Sequence, residues 1–213
     1  MKVIIFGATG FAGKAILKEA LAQNHQITIL VRSKSSVSIH DKRLAVVEGN
    51  VMDRKRVSEI LENQEAVIQC LGAGGKSIVR PNTFISDATK IIVEEMEKRK
   101  VKRLIVISNV GTGNSIEFHP WFFTKIILPY FMKWLKVVID DKNRMEPIIM
   151  NSHLNWTIVR CPNIVDKPAK ERCHATLDGK GLKLSITLGD MSTFLVQQLT
   201  DQSFSKQAPS ISN

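Results

Sequence analysis

The sequence is poor in the residues on which disulfide scaffolds, metal centres and membrane spans depend. It has three cysteines, an odd number, and no Cys-x-x-C pair, which argues against a disulfide framework and against a zinc site. The five histidines are scattered, so no metal is expected. No run of about twenty apolar residues could span a bilayer, and the apolar run at residues 3–6 is far too short for a secretory signal. We therefore expect a cytoplasmic protein with no bound metal and no integral membrane segment.

Acidic residues are also too few to balance the basic ones. The chain has 20 Asp and Glu against 30 Lys and Arg, which gives a formal net charge of +10. Such a surplus is typical of proteins that bind nucleic acid, a membrane surface or an anionic small molecule. Here the basic residues are spread along the chain, without a basic tail or a recognition motif. We therefore expect an anionic small-molecule ligand and no nucleic-acid partner.

Apolar runs alternate with helical patterns along the chain, and this order predicts an α/β fold with a doubly wound parallel sheet of the Rossmann type. A length of 213 residues suits a single domain over residues 1–213. The polar stretch 203–213 is expected to be a loose C-terminal tail. The predicted strands cover residues 3–6, 27–31, 44–47, 66–71, 103–108, 156–160 and 182–186, and the predicted helices cover 12–23, 53–61, 87–100, 140–151 and 191–199.

A glycine-rich loop, Gly-Ala-Thr-Gly-Phe-Ala-Gly at residues 7–13, lies between the first predicted strand and the first predicted helix. The N-terminus of a helix offers unpaired N–H groups and a partial positive charge to a pyrophosphate. In this setting Gly7 allows the tight turn, Gly10 lets the backbone approach the phosphates, and Gly13 lets the helix pack close to the strand. The alternative is a simple tight turn without a ligand. The other loop residues expected to line a dinucleotide are Thr9, Phe11 and Ala12.

Arg32 ends the second predicted strand, where NAD-preferring folds place an acidic residue that accepts hydrogen bonds from the ribose 2′-hydroxyl. A guanidinium at this position instead suits a 2′-phosphate, which it can hold with two hydrogen bonds. Ser33 and Lys34 are placed to assist. The alternative is an ordinary surface arginine at a strand end. We therefore predict NADP(H) as the cofactor.

These residues resemble those of the atypical short-chain dehydrogenases. Among them the chain is most similar to the biliverdin-IXβ/flavin reductases and to the NmrA-like NAD(P)-binding proteins. The Thr-Leu-Asp-Gly sequence at 176–179 favours the flavin-reductase branch. The resemblance covers nearly the whole chain, in segments 7–13, 29–32, 49–53, 71–72, 140–145, 154–160 and 175–181.

The resemblance places Asn50 and Val51 beside the adenine of the cofactor. The family usually has Asp where this chain has Asn50, and the amide still offers a donor and an acceptor. A second departure follows the sixth predicted strand, where the usual Arg-Pro is replaced by Arg-Cys-Pro at residues 160–162.

The fourth and fifth predicted strands end where ligands gather in sheets of this type. Leu71, Gly72 and Ala73 lie at the end of the fourth and are expected to let the cofactor pass close to the backbone; the alternative is a plain loop. The resemblance places Ser108, at the end of the fifth, beside the nicotinamide. Its alternative is a hydroxyl that bonds its own backbone.

The proton-donating dyad of short-chain dehydrogenases, Tyr-x-x-x-Lys, is missing. The chain has one tyrosine, Tyr130, and position 134 is tryptophan, while the residue four before Lys142 is Val138. Lys142 remains a candidate to contact the nicotinamide ribose, or else it is an exposed helical lysine. Ser108 and Lys142 are therefore the candidate catalytic residues, with the Ser108 hydroxyl assisting electrostatically.

The segment 118–136 is rich in aromatic residues and also carries Lys125, Lys133 and Lys136. One interpretation is a lid or pocket wall over the nicotinamide. The other is a contact with another subunit or with a membrane surface, which two prolines in the segment make less favourable.

Together these features favour an NADPH-dependent reductase that transfers a hydride to a conjugated small-molecule acceptor such as a flavin, a quinone or a linear tetrapyrrole. The alternative is a non-catalytic NADP(H)-binding sensor of the NmrA-like kind, which regulates a partner protein. A sugar-nucleotide epimerase is a third possibility, and the missing dyad and the short C-terminal region count against it.

Overall fold

A computed structural model describes residues 1–72, 82–118 and 123–213 of the chain. In the described residues up to Cys161, strands and helices follow the order that the sequence predicts, with β2 and β3 as the one pair of strands without an α-helix between them. The strands are β1 (Lys2–Phe6), β2 (Gln26–Val31), β3 (Leu44–Glu48), β4 (Ala66–Gln69), β5 (Arg103–Asn109), β6 (Asn155–Cys161), β7 (Asn163–Val165), β8 (His174–Thr176), β9 (Ser185–Thr187) and β10 (Ser210–Ser212). The α-helices are α1 (Phe11–Ala22), α2 (Arg54–Ile60), α3 (Phe84–Arg99), α4 (Lys133–Met150) and α5 (Leu188–Gln197).

The main sheet has the strand order β3-β2-β1-β4-β5-β6-β10-β8. The first six of these strands are parallel, β10 extends the sheet in parallel with β6, and β8 is antiparallel to β10. β7 and β9 form a separate parallel pair. The chain runs outward in opposite directions from the central neighbours β1 and β4, so a crevice opens at their carboxyl ends. This topology confirms the predicted doubly wound Rossmann-type fold.

The sheet is covered on both faces, which explains why its central strands are continuous apolar runs. Helices α1 and α5 pack on one face with side chains such as Ile16 and Leu195. Helices α2, α3 and α4 cover the other face, where Val57, Ile92 and Met145 are fully buried. The helix α1 and the helices α2, α3 and α4 lie on opposite faces because the chain first adds strands on one side of β1 and then on the other, while each βαβ crossover stays right-handed.

Two carboxylates fix the starts of helices on the second face. Asp53 accepts a hydrogen bond from the Arg56 N–H at 3.2 Å and caps α2, at the start of the helix predicted over residues 53–61. Asp141, on α4, is buried and accepts the N–H of Ile85 at 2.8 Å and the hydroxyl of Ser86 at 2.6 Å. The hydrogen bonds of Asp141 join α4 to the N-terminus of α3, so the two helices keep a fixed relative position.

The predicted loose tail at residues 203–213 is wrong. Ser210, Ile211 and Ser212 form β10 and are completely buried. Three residues with two serines are too few and too polar to show a strand pattern in the sequence. The strand is held by backbone pairing to β6 and β8. Helix α4 is also longer than predicted, since it begins seven residues before position 140.

Replacing Ile211 by Ala tests whether the C-terminal strand is part of the folded core. Ile211 is fully buried in the cluster that includes α1 and α5, so its truncation leaves a cavity. We expect the free energy of unfolding to fall by about 2–4 kcal/mol in urea titrations. The matched control is Leu184→Ala, at a side chain that is 82% exposed, which should change stability by less than about 0.5 kcal/mol. If the two variants were equally stable, residues 203–213 would be a loose tail, as predicted from the sequence.

Candidate functional site

The carboxyl ends of β1, β2, β4 and β5 bring most of the predicted site residues to one edge of the sheet. The register aligns Phe6 of β1 with Leu30 of β2 and with Gln69 of β4. The glycine loop, Arg32 and Gly72 therefore follow neighbouring strands at the same edge. Ala73 was also predicted here, but it lies outside the described residues.

Two glycines of the loop are required by the fold itself. Gly7 has a φ of +84°, and a Cβ built on it would lie 2.6 Å from the carbonyl oxygen of Cys70, at the end of β4. A Cβ on Gly13 would lie 2.1 Å from the carbonyl oxygen of Gly7. Any side chain at these two positions would push the loop away from β4 or helix α1 away from the loop.

Gly10 is different, because its own surroundings leave room for a small side chain. Its φ of −73° is open to any residue, and the nearest atom to a Cβ would be the Gly7 carbonyl oxygen at 3.3 Å. The residue is exposed and caps helix α1 without a side-chain hydrogen bond. The absence of a side chain at Gly10 therefore keeps the space above the helix N-terminus open.

The first turn of α1 has no acidic residue and no side-chain cap, so its N–H groups face outward without a charged partner from the helix. Thr9 is exposed and Ala12 is half-buried beside them. Phe11 is 54% exposed, which is unusual for a phenylalanine next to a buried strand. The helix start thus offers hydrogen-bond donors and a partial positive charge, flanked by an apolar ring.

Arg32 directly follows β2 and is exposed, and it forms no ion pair with any described carboxylate. Asn50 is exposed too, with its side-chain oxygen bound to the Met52 N–H at 3.0 Å. Val51 is buried, so its side chain belongs to the core. Leu71 is half-buried and Gly72 is exposed, with open space where a Cβ would stand.

Ser108 belongs to a buried polar network rather than to an open surface. Its hydroxyl donates to the Glu146 carboxylate at 2.7 Å and lies 3.0 Å from the Thr112 hydroxyl. Glu146 also accepts hydrogen bonds from Thr112 at 2.6 Å and from the Arg160 guanidinium at 2.7 Å. Arg160 donates further to the Asn114 side chain at 2.6 Å. The hydroxyl hydrogen of Ser108 is thus engaged within the protein, and its oxygen remains as an acceptor.

Lys142 is not the exposed helical lysine that the sequence left open as an alternative. It is 5% exposed, and its ammonium group donates to the Ile107 carbonyl at 3.2 Å. Burial lowers the pKa of Lys142 to about 8, against the opposing effect of Cys161 and Glu146. The side chain therefore lies at the end of β5 as a buried cation that readily loses its proton.

The thiols near Lys142 are structural. The Cys70 thiol donates to the Phe6 carbonyl oxygen at 3.0 Å, and burial raises its pKa to about 12. Burial also raises the pKa of the Cys161 thiol to about 12. Thiols with such high pKa values stay protonated and are poor nucleophiles.

Two side-chain carbonyl oxygens at this edge are buried without a partner among the described residues. One belongs to Gln69 at the end of β4, whose amide nitrogen donates to the Thr89 hydroxyl at 2.6 Å. The other belongs to Asn109 at the end of β5. Buried polar atoms are normally satisfied, so orphaned acceptors at a ligand-binding edge are consistent with a missing donor.

Sequence reasoning missed the roles of Glu146, Thr112 and Arg160. One signal was available: Lys142 and Glu146 are four residues apart and share the side of α4 on which Met145 and Ile149 are buried. Charged residues in the apolar stripe of a helix are unusual and indicate a buried ion pair or a site.

The aromatic segment contacts the Thr-Leu-Asp-Gly turn at one described point. Gly179 has a φ of +78°, and its Cβ would lie 2.6 Å from the Phe118 ring. Residues 119–122 lie outside the described part, and Phe123–Phe131 form a π-helix. No helix in the described part of the chain is long and apolar enough to cross a membrane. Those residues also form no group of three metal-ligating side chains.

A pH titration of stability tests the burial of Lys142. Its pKa in the folded protein, about 8, lies below the ordinary value of 10.5. Between these values the unfolded chain binds more protons, so the free energy of unfolding rises with pH through this window, and the penalty is fully present below pH 8. Relative to Lys142→Met, the unmutated protein should gain on the order of 3 kcal/mol across the window. The control is Lys102→Met at an exposed lysine, and an equal pH dependence in all three proteins would contradict the burial.

Comparison with known proteins assigns the chain to a family. Residues 7–202 match the family model described as NAD(P)H-binding. The chain is 26% identical over 193 residues to YwnB of Bacillus subtilis, covering 89% of this chain and 84% of that protein. Its fold is similar to that of the oxidoreductase ylbE from Lactococcus lactis, with a TM-score of 0.84, 21% identity and coverage of 100% and 91%.

A second similar structure is ChuY, an anaerobilin reductase from Escherichia coli O157:H7. The TM-score is 0.80 at 17% identity, with coverage of 100% of this chain and 97% of ChuY. At these identities the solved structures establish the fold alone. The family match extends over most of the chain from Gly7 onward, and it confirms the predicted resemblance. The protein therefore belongs to the NAD(P)H-binding family, which fits the resemblance to atypical short-chain dehydrogenases and NmrA-like proteins.

Proposed function

We propose that the protein is an NADPH-dependent reductase of a conjugated small-molecule acceptor. The observation that carries the proposal is the sheet edge where the uncapped start of α1 follows β1 and the exposed Arg32, which has no ion pair among the described residues, follows the neighbouring β2. The fit to a dinucleotide is good: Gly7 and Gly13 hold the loop close, Gly10 leaves it uncovered, and orphaned acceptors lie at the same edge. When bound, a reduced nicotinamide supplies the hydride.

The loop residues would hold the pyrophosphate. The backbone N–H groups of Phe11, Ala12 and Gly13 are the donors, and the partial positive charge of the helix favours the phosphates. Thr9 adds a hydroxyl beside them. The exposed Phe11 ring and the open Gly72 backbone would line the path of the dinucleotide, which Ala73 is expected to continue.

Arg32 would select the phosphorylated form of the coenzyme. A 2′-phosphate placed next to β2 gains charge-assisted hydrogen bonds from a guanidinium that has no competing described carboxylate. The adenine would lie near Asn50, whose amide group remains a donor after its oxygen is used by Met52. The backbone at Val51 supports this contact while its side chain anchors the loop in the core.

The candidate catalytic residues take altered roles. Lys142 has donors beyond the one that Ile107 accepts, and it would contact the nicotinamide ribose. Ser108 would accept a hydrogen bond rather than donate one, because Glu146 holds its hydrogen. Ser108 thus positions a ligand group at the end of β5 and is not a proton donor to the acceptor.

The lack of the Tyr-x-x-x-Lys dyad in the sequence supports a conjugated acceptor. Tyr130 is 71% exposed on the π-helix, and the dyad lysine position is tryptophan. A ketone gains about 10²–10⁴-fold in rate from a placed acid, whereas a flavin or quinone spreads the charge and takes protons from water. The similarity to ChuY, an anaerobilin reductase, agrees with a reductase.

The same engaged hydroxyls support a second candidate, a non-catalytic NADP(H)-binding sensor. Such a protein needs the coenzyme crevice but no proton donor, and the network of Ser108, Thr112 and Glu146 holds its hydrogens internally. Turnover separates the two functions.

The coenzyme preference is tested by calorimetry with NADPH and NADH. We expect NADPH to bind at least about tenfold more tightly, since a charge-assisted phosphate contact is worth roughly 1.5–3 kcal/mol. Arg32→Ala should remove most of this preference while leaving NADH affinity nearly unchanged. The matched control is Arg99→Ala, at the end of α3, which should keep the preference. Equal affinities in the unmutated protein would exclude the proposed role of Arg32.

The reductase is tested by NADPH oxidation with flavins, quinones and aliphatic ketones in one assay. We expect turnover with the conjugated acceptors and little with ketones. Lys142→Met should reduce turnover by less than about tenfold, because no tyrosine depends on it. Gly10→Val is the control: it should stay folded by circular dichroism but lose coenzyme binding and all turnover. Tight NADPH binding with no turnover on any acceptor would favour the sensor, and ketone reduction that requires Lys142 would reveal an acid relay.

A further inference from the structure

Three large apolar side chains lie exposed on one side of the π-helix Phe123–Phe131. Tyr130 is 71% exposed, Phe131 is 78% exposed and Ile126 is 44% exposed. In a helix closed by bonds between residues five apart, positions four and five apart share a side, so these three side chains lie together. Leu128 is buried and faces the protein. We call Ile126, Tyr130 and Phe131 the apolar face.

The surroundings of the apolar face are positively charged. Lys125 on the helix and Lys133 at the start of α4 are both exposed. Between Glu117 and Asp140 the sequence contains no acidic residue. Lys136 pairs with Asp140 at 2.6 Å, whereas Lys125 and Lys133 form no ion pair among the described residues.

This combination suits the boundary between lipid headgroups and acyl chains. Aromatic rings with a polar end favour that boundary, and lysine stems extend along it while their charges reach the headgroups. Each lysine near an anionic surface strengthens the binding to that surface. A second copy of the chain is a poorer occupant, because a symmetric contact would bring the same lysines together on proteins of charge +10.

We propose that the apolar face docks on an anionic lipid surface. Ile126, Tyr130 and Phe131 insert at the level of the headgroups, and Lys125 and Lys133 contact the lipid phosphates. The contact is peripheral, since its depth is set by one side of one short helix. It is independent of the reaction that the crevice between β1 and β4 supports.

The test is co-sedimentation of the full chain with vesicles of phosphatidylcholine, with and without phosphatidylglycerol. We expect at least about tenfold stronger partitioning onto the vesicles that contain phosphatidylglycerol, with a loss at high salt. The double variant Tyr130→Ser, Phe131→Ser should lose binding, and Lys125→Gln with Lys133→Gln should remove the preference for the anionic lipid. The matched control is Leu184→Ser, which changes another exposed apolar side chain and should bind as the unmutated protein does.

Three outcomes would overturn the proposal. The first is equal partitioning onto both kinds of vesicle, and the second is an equal loss in the Leu184→Ser control. The third is concentration-dependent dimerisation in sedimentation velocity that disappears in the Tyr130→Ser, Phe131→Ser variant, which would assign the apolar face to a second copy. Circular dichroism of each variant verifies that lost binding reflects the surface rather than the fold.

Discussion

The close approach of the first loop to β4 and to α1 is the constraint on which the candidate site depends. Gly7 lies against the Cys70 carbonyl and Gly13 lies against the Gly7 carbonyl, at distances that no Cβ allows. This packing aims the start of α1 into the crevice beside β4 and keeps its N–H groups uncovered. Gly10 completes the arrangement by leaving the approach open. The geometry of the loop is thus a consequence of backbone contacts, which explain the glycines at positions 7 and 13.

A second constraint is the buried charge beneath the end of β5. Glu146 and Arg160 are each 2% exposed and form an ion pair at 2.7 Å. A buried pair of this kind is retained only with further hydrogen bonds, which Ser108, Thr112 and Asn114 supply. The network joins α4 to β5 and β6. The position of α4 relative to these strands is therefore set by electrostatic interactions as well as by apolar packing. Lys142, one helical turn away on α4, is also buried, and its desolvation adds to the free-energy cost that apolar packing must offset.

Asp141 gives the same helix a third anchor through its contacts with the start of α3. Helix α4 therefore holds the N-terminus of α3 in place and also carries the candidate catalytic residue Lys142. Rigid elements hold ligand groups more precisely than loops do, which fits a candidate site that combines strand ends with residues of α1 and α4. The exposed apolar face directly precedes this helix in the chain.

The amino-acid sequence by itself determined the fold class, the glycine loop and the position of Arg32. These features are local: apolar runs, turn residues and the end of a strand are readable from neighbours in the chain. The roles of Ser108 and Lys142 were not readable, because burial and hydrogen bonding join residues tens of positions apart. Only the tertiary structure paired Ser108 with Glu146, buried Lys142 beneath the sheet edge, and recruited the polar tail as β10. In each case the deciding interaction is a long-range contact; the spacing of Lys142 and Glu146 in the apolar stripe of α4 indicated burial but not which residues they contact.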